Sequence, residues 1–297
     1  MTVTGERQIR LSPPVRTWLL LSPALAVIAL LFLGGVLFGV IQSFNYLPLI
    51  GEYQLNLDAY VQMLSDRSFV PSLVLSFWIA ISATVLSAVL AIAVSLFIRQ
   101  TSVGRRVGTY LFQLNLAVPH IVGAVAMLAL LSQSGLLSRL TNFIGLTNGP
   151  GGFPALTNDR WGISIIAEYV WKEVPFIGVV VLAALAGGTR DYEDVARTLG
   201  AGRWQRFLFV ILPHIAPGVL STSIIVFAFS FGAYEVPFLL GQPYPATLSV
   251  LAYLNYTDVD LAARSEAQAI NALIATIVTI LAIAYLWVSN RYVRAER

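Results

Sequence analysis

Apolar positions fill six stretches of this 297-residue chain almost without interruption, at residues 18–41, 72–98, 108–132, 162–187, 215–240 and 267–289. A hydrocarbon core about 30 Å thick is crossed by roughly 20 helical residues, and each stretch reaches that length. Lipid offers backbone amides no partner, so the stretches must be helical, and they are too long and too evenly apolar for barrel strands. The pattern predicts an all-α integral membrane protein with about six transmembrane helices. Segments 57–64 and 135–144 have helix-like apolar spacing but are too short to span, and they read as caps over one face. Turn chemistry between spans concentrates in Asn148-Gly149-Pro150-Gly151-Gly152 and Gly241-Gln242-Pro243-Tyr244-Pro245. No repeat or linker divides the sequence, which predicts one membrane domain over 18–289 between tails at 1–17 and 290–297. The first stretch is too long, and its flank too rich in proline, for a cleaved signal peptide, so it is expected to remain as a helix.

Composition supports membrane residence: 57% of residues are hydrophobic and only 11% charged, with a mean hydropathy of +0.78. Cysteine is absent, which excludes a disulfide framework and a thiolate metal site. The net charge of +3 follows topology better than it follows an anionic partner. Thirteen arginines lie in the two tails and in the second and fourth loops, against Arg67, Arg139, Arg160 and Arg264 in the others. The positive-inside rule therefore puts both termini and those two loops in the cytoplasm, and no nucleic-acid partner is expected.

The loop between the fourth and fifth spans, residues 188–213, carries the most information. Asp191, Glu193 and Asp194 open it and Gly200 closes its first half, which suits a short helix with carboxylates at its positive end and glycine at its C-terminal cap. A second short helix follows, with Trp204, Phe207 and Leu208 at i, i+3 and i+4, an apolar stripe able to enter a groove on a partner. Pro213 stands where the next helix begins. An amphipathic helix resting on lipid headgroups would explain the stripe but not this glycine-to-proline spacing. The only lysine is Lys172, followed by Glu173, so the chain has no P-loop and any ATP hydrolysis belongs to another polypeptide.

At these residues the sequence resembles the cytoplasmic loop of binding-protein-dependent ABC importer permeases, the MetI-like transmembrane domain family. That motif reads Glu-Ala-Ala, three residues, Gly, then a stretch ending Ile-x-Leu-Pro. Pro213 lies thirteen positions after Gly200, the spacing of the spermidine/putrescine-type branch, and the acid six positions before the glycine is Asp194, not Glu193. Asp194-Val195-Ala196 thus replaces Glu-Ala-Ala, while Gly200, Ala201, Phe207, Leu212 and Pro213 fit. The resemblance implies that Asp194, Val195, Ala196, Gly200, Ala201, Trp204, Phe207, Leu212 and Pro213 form a coupling loop that docks on an ABC ATPase dimer. It implies a second permease subunit, often a paralogue, an extracytoplasmic solute-binding protein, and a place in the cell inner membrane. It implies no cofactor of the chain's own, ATP and magnesium being bound by the ATPase partner. Polyamine is the first expectation for cargo.

Within the spans, Glu168, Lys172, Glu173 and Glu235 are charges where charge is costly, so they should face the bundle or water. Glu168 and Lys172, at i and i+4 with the acid first, suit a helical ion pair; alternatively Glu168 sits in the outer vestibule. Residues 231–241 resemble the outer end of the fifth helix in polyamine-type permeases, and Gly232 and Pro237 loosen the ladder there. Glu168, Tyr234 and Glu235 are the candidates for the translocation path, the carboxylates and the ring suiting an ammonium group. The bland reading of Pro237 is a helix end with Glu235 reaching interfacial water. His120 and His214 are too far apart in topology to share a metal and read as hydrogen-bonded structural residues, as do Ser76, Ser82 and Thr84. No nucleophile, base and oxyanion set is discernible. Two other readings compete: an ion-coupled secondary transporter using Glu168 and Glu235, and an intramembrane enzyme or assembly factor.

Overall fold

A computed structural model describes residues 13–100, 102–187 and 189–295. In chain order the helices are α1 (Pro13–Val27), α2 (Gly34–Ser43), α3 (Asp58–Ser65), α4 (Phe69–Ile98), α5 (Ser102–Leu116), α6 (His120–Leu131) and α7 (Leu136–Phe143). They continue as α8 (Ile163–Ala186), α9 (Thr189–Thr198), α10 (Arg203–Arg206), α11 (Leu212–Gly232), α12 (Glu235–Leu240), α13 (Leu248–Tyr256) and α14 (Ala263–Ala295). No strand occurs among the described residues, and six helical stretches are long and apolar enough to cross a membrane: Thr17–Ser43, Phe69–Ile98, His120–Phe143, Ile163–Ala186, Arg203–Gly232 and Ala263–Trp287. The two short segments expected as caps are helical, as α3 and α7, and α7 falls within the third crossing stretch.

The centre of the bundle is α4 against α8. Seven small residues of α4, Ser72, Ser76, Ala80, Ala83, Ser87, Ala91 and Ser95, are buried at spacings of three or four, which is one face of a helix. Small side chains are what let backbones approach closely when no hydrophobic effect drives helices together in lipid. Ser95 Oγ donates to Gly178 O across this seam, and Ser76 Oγ accepts from Leu248 N at the start of α13. Ile177, Val181 and Leu185 of α8 pack with Ala91 and with Ile211, Ile215 and Val219 to form the core near the α9–α10 end. Ile79, Ala83, Ala124, Ile165, Tyr169, Val236 and Leu240 form the core at the opposite end of α8. The first stretch, running through α1 and α2, buries none of its most apolar window and meets the rest through α14.

Two predicted spans are broken. The third, expected at 108–132, is interrupted between α5 and α6, because Pro119 has no N–H and disfavours helical backbone at Val118. Its apolar character resumes at His120 and runs on to Phe143. The fifth, expected at 215–240, begins earlier, at Arg203, with π-helical turns at Phe207–Ile211, and ends at Gly232. Ala233 is extended, and α12 starts afresh at Glu235. Hydropathy averaged over a span does not register these breaks, since each is only a few residues long.

Close packing also fixes α5 against α8: a Cβ at Gly178 would run into the Phe112 ring. Gly178→Val is expected to destabilise the detergent-purified protein by about 1–3 kcal/mol, the usual cost of overpacking. Phe112→Ala in the same chain should recover part of the lost Tm. An unchanged Tm for the single variant would contradict this packing.

Candidate functional site

Two regions hold the candidate residues. At one end of the bundle, α9 begins with acidic Asp191 and ends with basic Arg197, complementing its dipole. It terminates in a Schellman motif: Gly200 N donates to Arg197 O at 3.0 Å and Ala201 N to Ala196 O at 3.0 Å, with Gly200 at φ +86°. Nothing crowds a Cβ at Gly200, so the left-handed backbone and not lack of space calls for glycine. Gln205 Oε1 then accepts from Gly202 N at 2.8 Å, fixing the start of α10. Trp204 stacks on Phe207 with ring centroids 5.4 Å apart yet stays 69% exposed. Leu212 is half-buried, and Pro213 follows directly on the π-helical turns Phe207–Ile211 inside the continuous helical stretch Arg203–Gly232, where its missing N–H leaves that ladder one donor short. Val195, Leu199 and Trp204 leave apolar surface uncovered on this connection, with Asp194 also exposed and Ala196 and Ala201 half-buried beneath.

The acid that anchors this segment is Glu193. Its two carboxylate oxygens accept from the two terminal nitrogens of Arg99 at 2.7 and 3.0 Å, and Arg190 donates to Arg99 O at 3.2 Å. Bidentate pairing of this kind fixes orientation as well as distance. It ties α9 to Arg99, the residue that caps the second span, a link that sequence reasoning missed when it singled out Asp194. His214 adds a contact between its Nε2 and Ala184 O at 3.2 Å.

The second region lies inside the bundle, where α8 presents Glu168, Tyr169, Lys172 and Glu173. The expected Glu168–Lys172 pair does not form. The Lys172 ammonium instead donates to Asn115 O at 2.7 Å and Val118 O at 2.5 Å where α5 gives way to α6, Asn115 O also accepting from Val118 N at 3.0 Å. Glu168 is 0% exposed, so it is not in an open vestibule. It lies against Gly123 of α6, where a Cβ would come within 2.6 Å of Oε1. His120, expected to be a merely structural residue, sits between two acids, its Nδ1 3.3 Å from Glu168 Oε1 and its Nε2 3.8 Å from Glu173 Oε1. Its ring is tilted on Phe229 at 4.5 Å. Both Glu168 oxygens and the Tyr169 hydroxyl are buried without a hydrogen-bond partner among the described residues. His120, Lys172, Glu173, Phe176 and Phe229 line a cavity of about 390 Å³.

Tyr234 does not share that cavity. It stacks on Tyr253 at 5.1 Å and lines a separate recess of about 290 Å³ with Tyr256, Gln268 and Asn271. Glu235 opens α12, which packs on α6 and α8, and is half-buried. The structure therefore sets Tyr234 apart from Glu168 and places His120 and Glu173 beside one another at the Glu168 end of the cluster. Pro119, which breaks the third span beside them, was the available signal. Among the described residues no His, Asp or Glu group is arranged to hold a metal ion.

The described residues thus form a six-span helical bundle with a two-helix connection, α9 and α10, at one end. Residues 83–294 match the family described as "Binding-protein-dependent transport system inner membrane component", and the chain belongs to that family. Over 185 residues it is 28% identical to the inner membrane ABC transporter permease protein YnjC of Escherichia coli (strain K12), covering 61% of this chain and 33% of that protein. It is also 28% identical to the molybdenum transport system permease protein ModB of Mycobacterium tuberculosis (strain ATCC 25618 / H37Rv), covering 67% and 74%. The chain thus spans about a third of YnjC, and 55% of the E. coli permease protein YdcU. Its fold is that of a chain in the crystal structure of a bacterial ABC transporter involved in the import of the acidic polysaccharide alginate, with TM-score 0.76, 21% identity, and coverage of 93% and 96%.

The Arg99–Glu193 pair predicts a protection effect. Glu193→Ala should speed tryptic cleavage of the α9–α10 connection after Arg197 and Arg203, and the charge swap Arg99→Glu with Glu193→Arg should restore most of the protection. The pair is largely shielded, with side chains 18% and 14% exposed, and its coupling should be about 1 kcal/mol. Equal cleavage rates in all three proteins would remove it from the account.

Proposed function

We propose that this chain is the permease subunit of an ATP-driven, binding-protein-dependent importer, a single domain over 18–289 whose 188–213 connection docks on a separate ABC ATPase. The carrying observation is the uncovered apolar surface of Val195, Leu199 and Trp204 on a connection shaped by Gly200 and held to α4 by Arg99–Glu193. A connection fixed in this way transmits force: movement of α9 must pull on α4 through a bidentate ion pair. ATP and magnesium sit in the ATPase dimer, a second permease subunit completes the pathway, and an extracytoplasmic binding protein delivers solute. The arginine distribution supports cytoplasmic termini, with α9 and α10 on that side.

For cargo we keep an ammonium-bearing, polyamine-like solute as the reading to test. The three buried or half-buried carboxylates Glu168, Glu173 and Glu235, set against the single ammonium of Lys172, support it. Relatives are named for other solutes, molybdenum for ModB and trehalose/maltose for MalF of Thermococcus litoralis. The burial of Glu168 between His120 and Gly123 also suits an ion-coupled secondary transporter.

In membranes co-expressing the ATPase, Gly200→Val and Asp194→Lys should each reduce the ATPase recovered with the chain and reduce uptake. At φ +86° a β-branched residue is strained by about 1–3 kcal/mol. Normal assembly and uptake in both variants would refute the docking role. Uptake should stop on ATP depletion; uptake that continues without ATP and collapses with an uncoupler would establish ion coupling in its place. Glu168→Gln should lower polyamine uptake by about tenfold, about 1.4 kcal/mol in barrier, with ATPase recovery unchanged. An unchanged rate would remove Glu168 from the path.

A further inference from the structure

Between the C-terminal half of α4 and the α9–α11 connection lies a groove of about 750 Å³. Its α4 wall is Val89, Ile92, Ala93 and Leu96, spaced i, i+3, i+4 and i+7, so one helical face supplies it. One turn further along that face the wall becomes polar at Arg99 and Gln100. The facing wall carries Arg203 and Arg206 beside Trp204 and Phe207. An adjoining recess adds Arg190 and Asp194, so four arginines stand against the two carboxylates of Glu193 and Asp194. Arg99 is engaged by Glu193 through both of its terminal nitrogens. Arg203 and Arg206 form no ion pair among the described residues, and Arg206 Nε is buried without a hydrogen-bond partner there.

We propose that this groove binds one anionic phospholipid, with the phosphate between Arg203 and Arg206 and an acyl chain along Val89, Ile92, Ala93 and Leu96. The profile is apolar over the membrane-spanning part of α4 and cationic at its end, which is the profile of a lipid lying in its own leaflet. Basic recesses between helices at the membrane surface select anionic headgroups in this way. A soluble oxyanion would use the arginines and leave the apolar wall in water. A partner helix would have to leave the buried Arg206 Nε unpaired or bring acids of its own. Bound there, the lipid would lie alongside the Arg99–Glu193 pair and bridge the second span to the connection. The inference takes only its choice of leaflet, the cytoplasmic one, from the permease reading.

Native mass spectrometry of the full chain, released from detergent after addition of phosphatidylglycerol or phosphatidylcholine, tests the assignment without any ATPase, binding protein or solute. Its failure is thereby separate from a failure of the importer reading. The wild-type chain should retain phosphatidylglycerol in preference to phosphatidylcholine. Arg203→Gln with Arg206→Gln should cut that retention by about tenfold, with phosphatidylcholine retention unchanged. Ala93→Trp keeps every charge, fills the apolar wall from an exposed position, and should also lower retention; it decides the matter if the arginine variant fails to fold. Inorganic phosphate at the same concentration should displace nothing. The proposal is overturned by equal retention of both lipids or by retention unaffected in Ala93→Trp. It is overturned as well by displacement with inorganic phosphate, or by an arginine variant that weakens association between permease chains while retaining its lipid.

Discussion

Hydrocarbon accepts no hydrogen bonds, so every place where a helical ladder opens inside this protein has to be answered by another part of the chain. The decisive opening is at residues 117–119. Pro119 cannot supply the i+4 donor to Asn115 O, which keeps only the tighter bond from Val118 N, Val118 O lies between α5 and α6, and the Lys172 ammonium of α8 donates to both carbonyls. That one contact reassigns the interior. Lysine is drawn away from Glu168, whose carboxylate is left to His120 on the first turn of α6. The same break lets α6 start where Gly123 can lie against Glu168 and where His120 reaches Glu173. A polar cluster inside an apolar bundle thus follows from a backbone requirement, and the cavity beside it is lined by the same His120, Lys172 and Glu173.

The opposite end of α8 meets a different demand. There the chain must leave the bundle, turn and re-enter, and it does so through α9, a left-handed glycine, a single turn of α10 and a wide π-helical stretch into α11. π-Helical turns are rare and are frequent at functional sites, and this chain has a second one at Ile28–Leu33. Here the stretch Phe207–Ile211 carries Phe207 under Trp204 and Ile211 into the α4–α8 core. The exposed surface and the core are therefore joined within one short segment. Arg99–Glu193 makes a second joint to α4, so both sides of the central helix pair feel any displacement of α9.

Much of this was legible in the sequence, and the limits have physical causes. Span length and helicity follow from local composition, so six helical crossings could be read directly. Gly200 was legible because a C-terminal cap is a local matter of backbone conformation. Pro119 was available too, but it sits among apolar residues, and hydropathy passes over it. The Glu168–Lys172 pair failed because spacing on one helix cannot register a stronger claim from carbonyls on another. The choice of Asp194 over Glu193 came from motif spacing; the partner that engages Glu193 lies 94 residues away, beyond any local pattern. Likewise, nothing in the run from Phe231 to Gly241 indicated that Tyr234 would pair with Tyr253 in a recess apart from Glu168.

The central claim is that the surface of α9 and α10 receives a separate ATPase subunit. The absence of native cysteine allows a clean test, since a single Val195→Cys chain carries one thiol. In membranes containing the assembled transporter, a short thiol-to-amine cross-linker should join that position to the ATPase subunit, with a yield that changes when ATP is added. Cross-linking that never captures the ATPase, with or without ATP, would contradict the account.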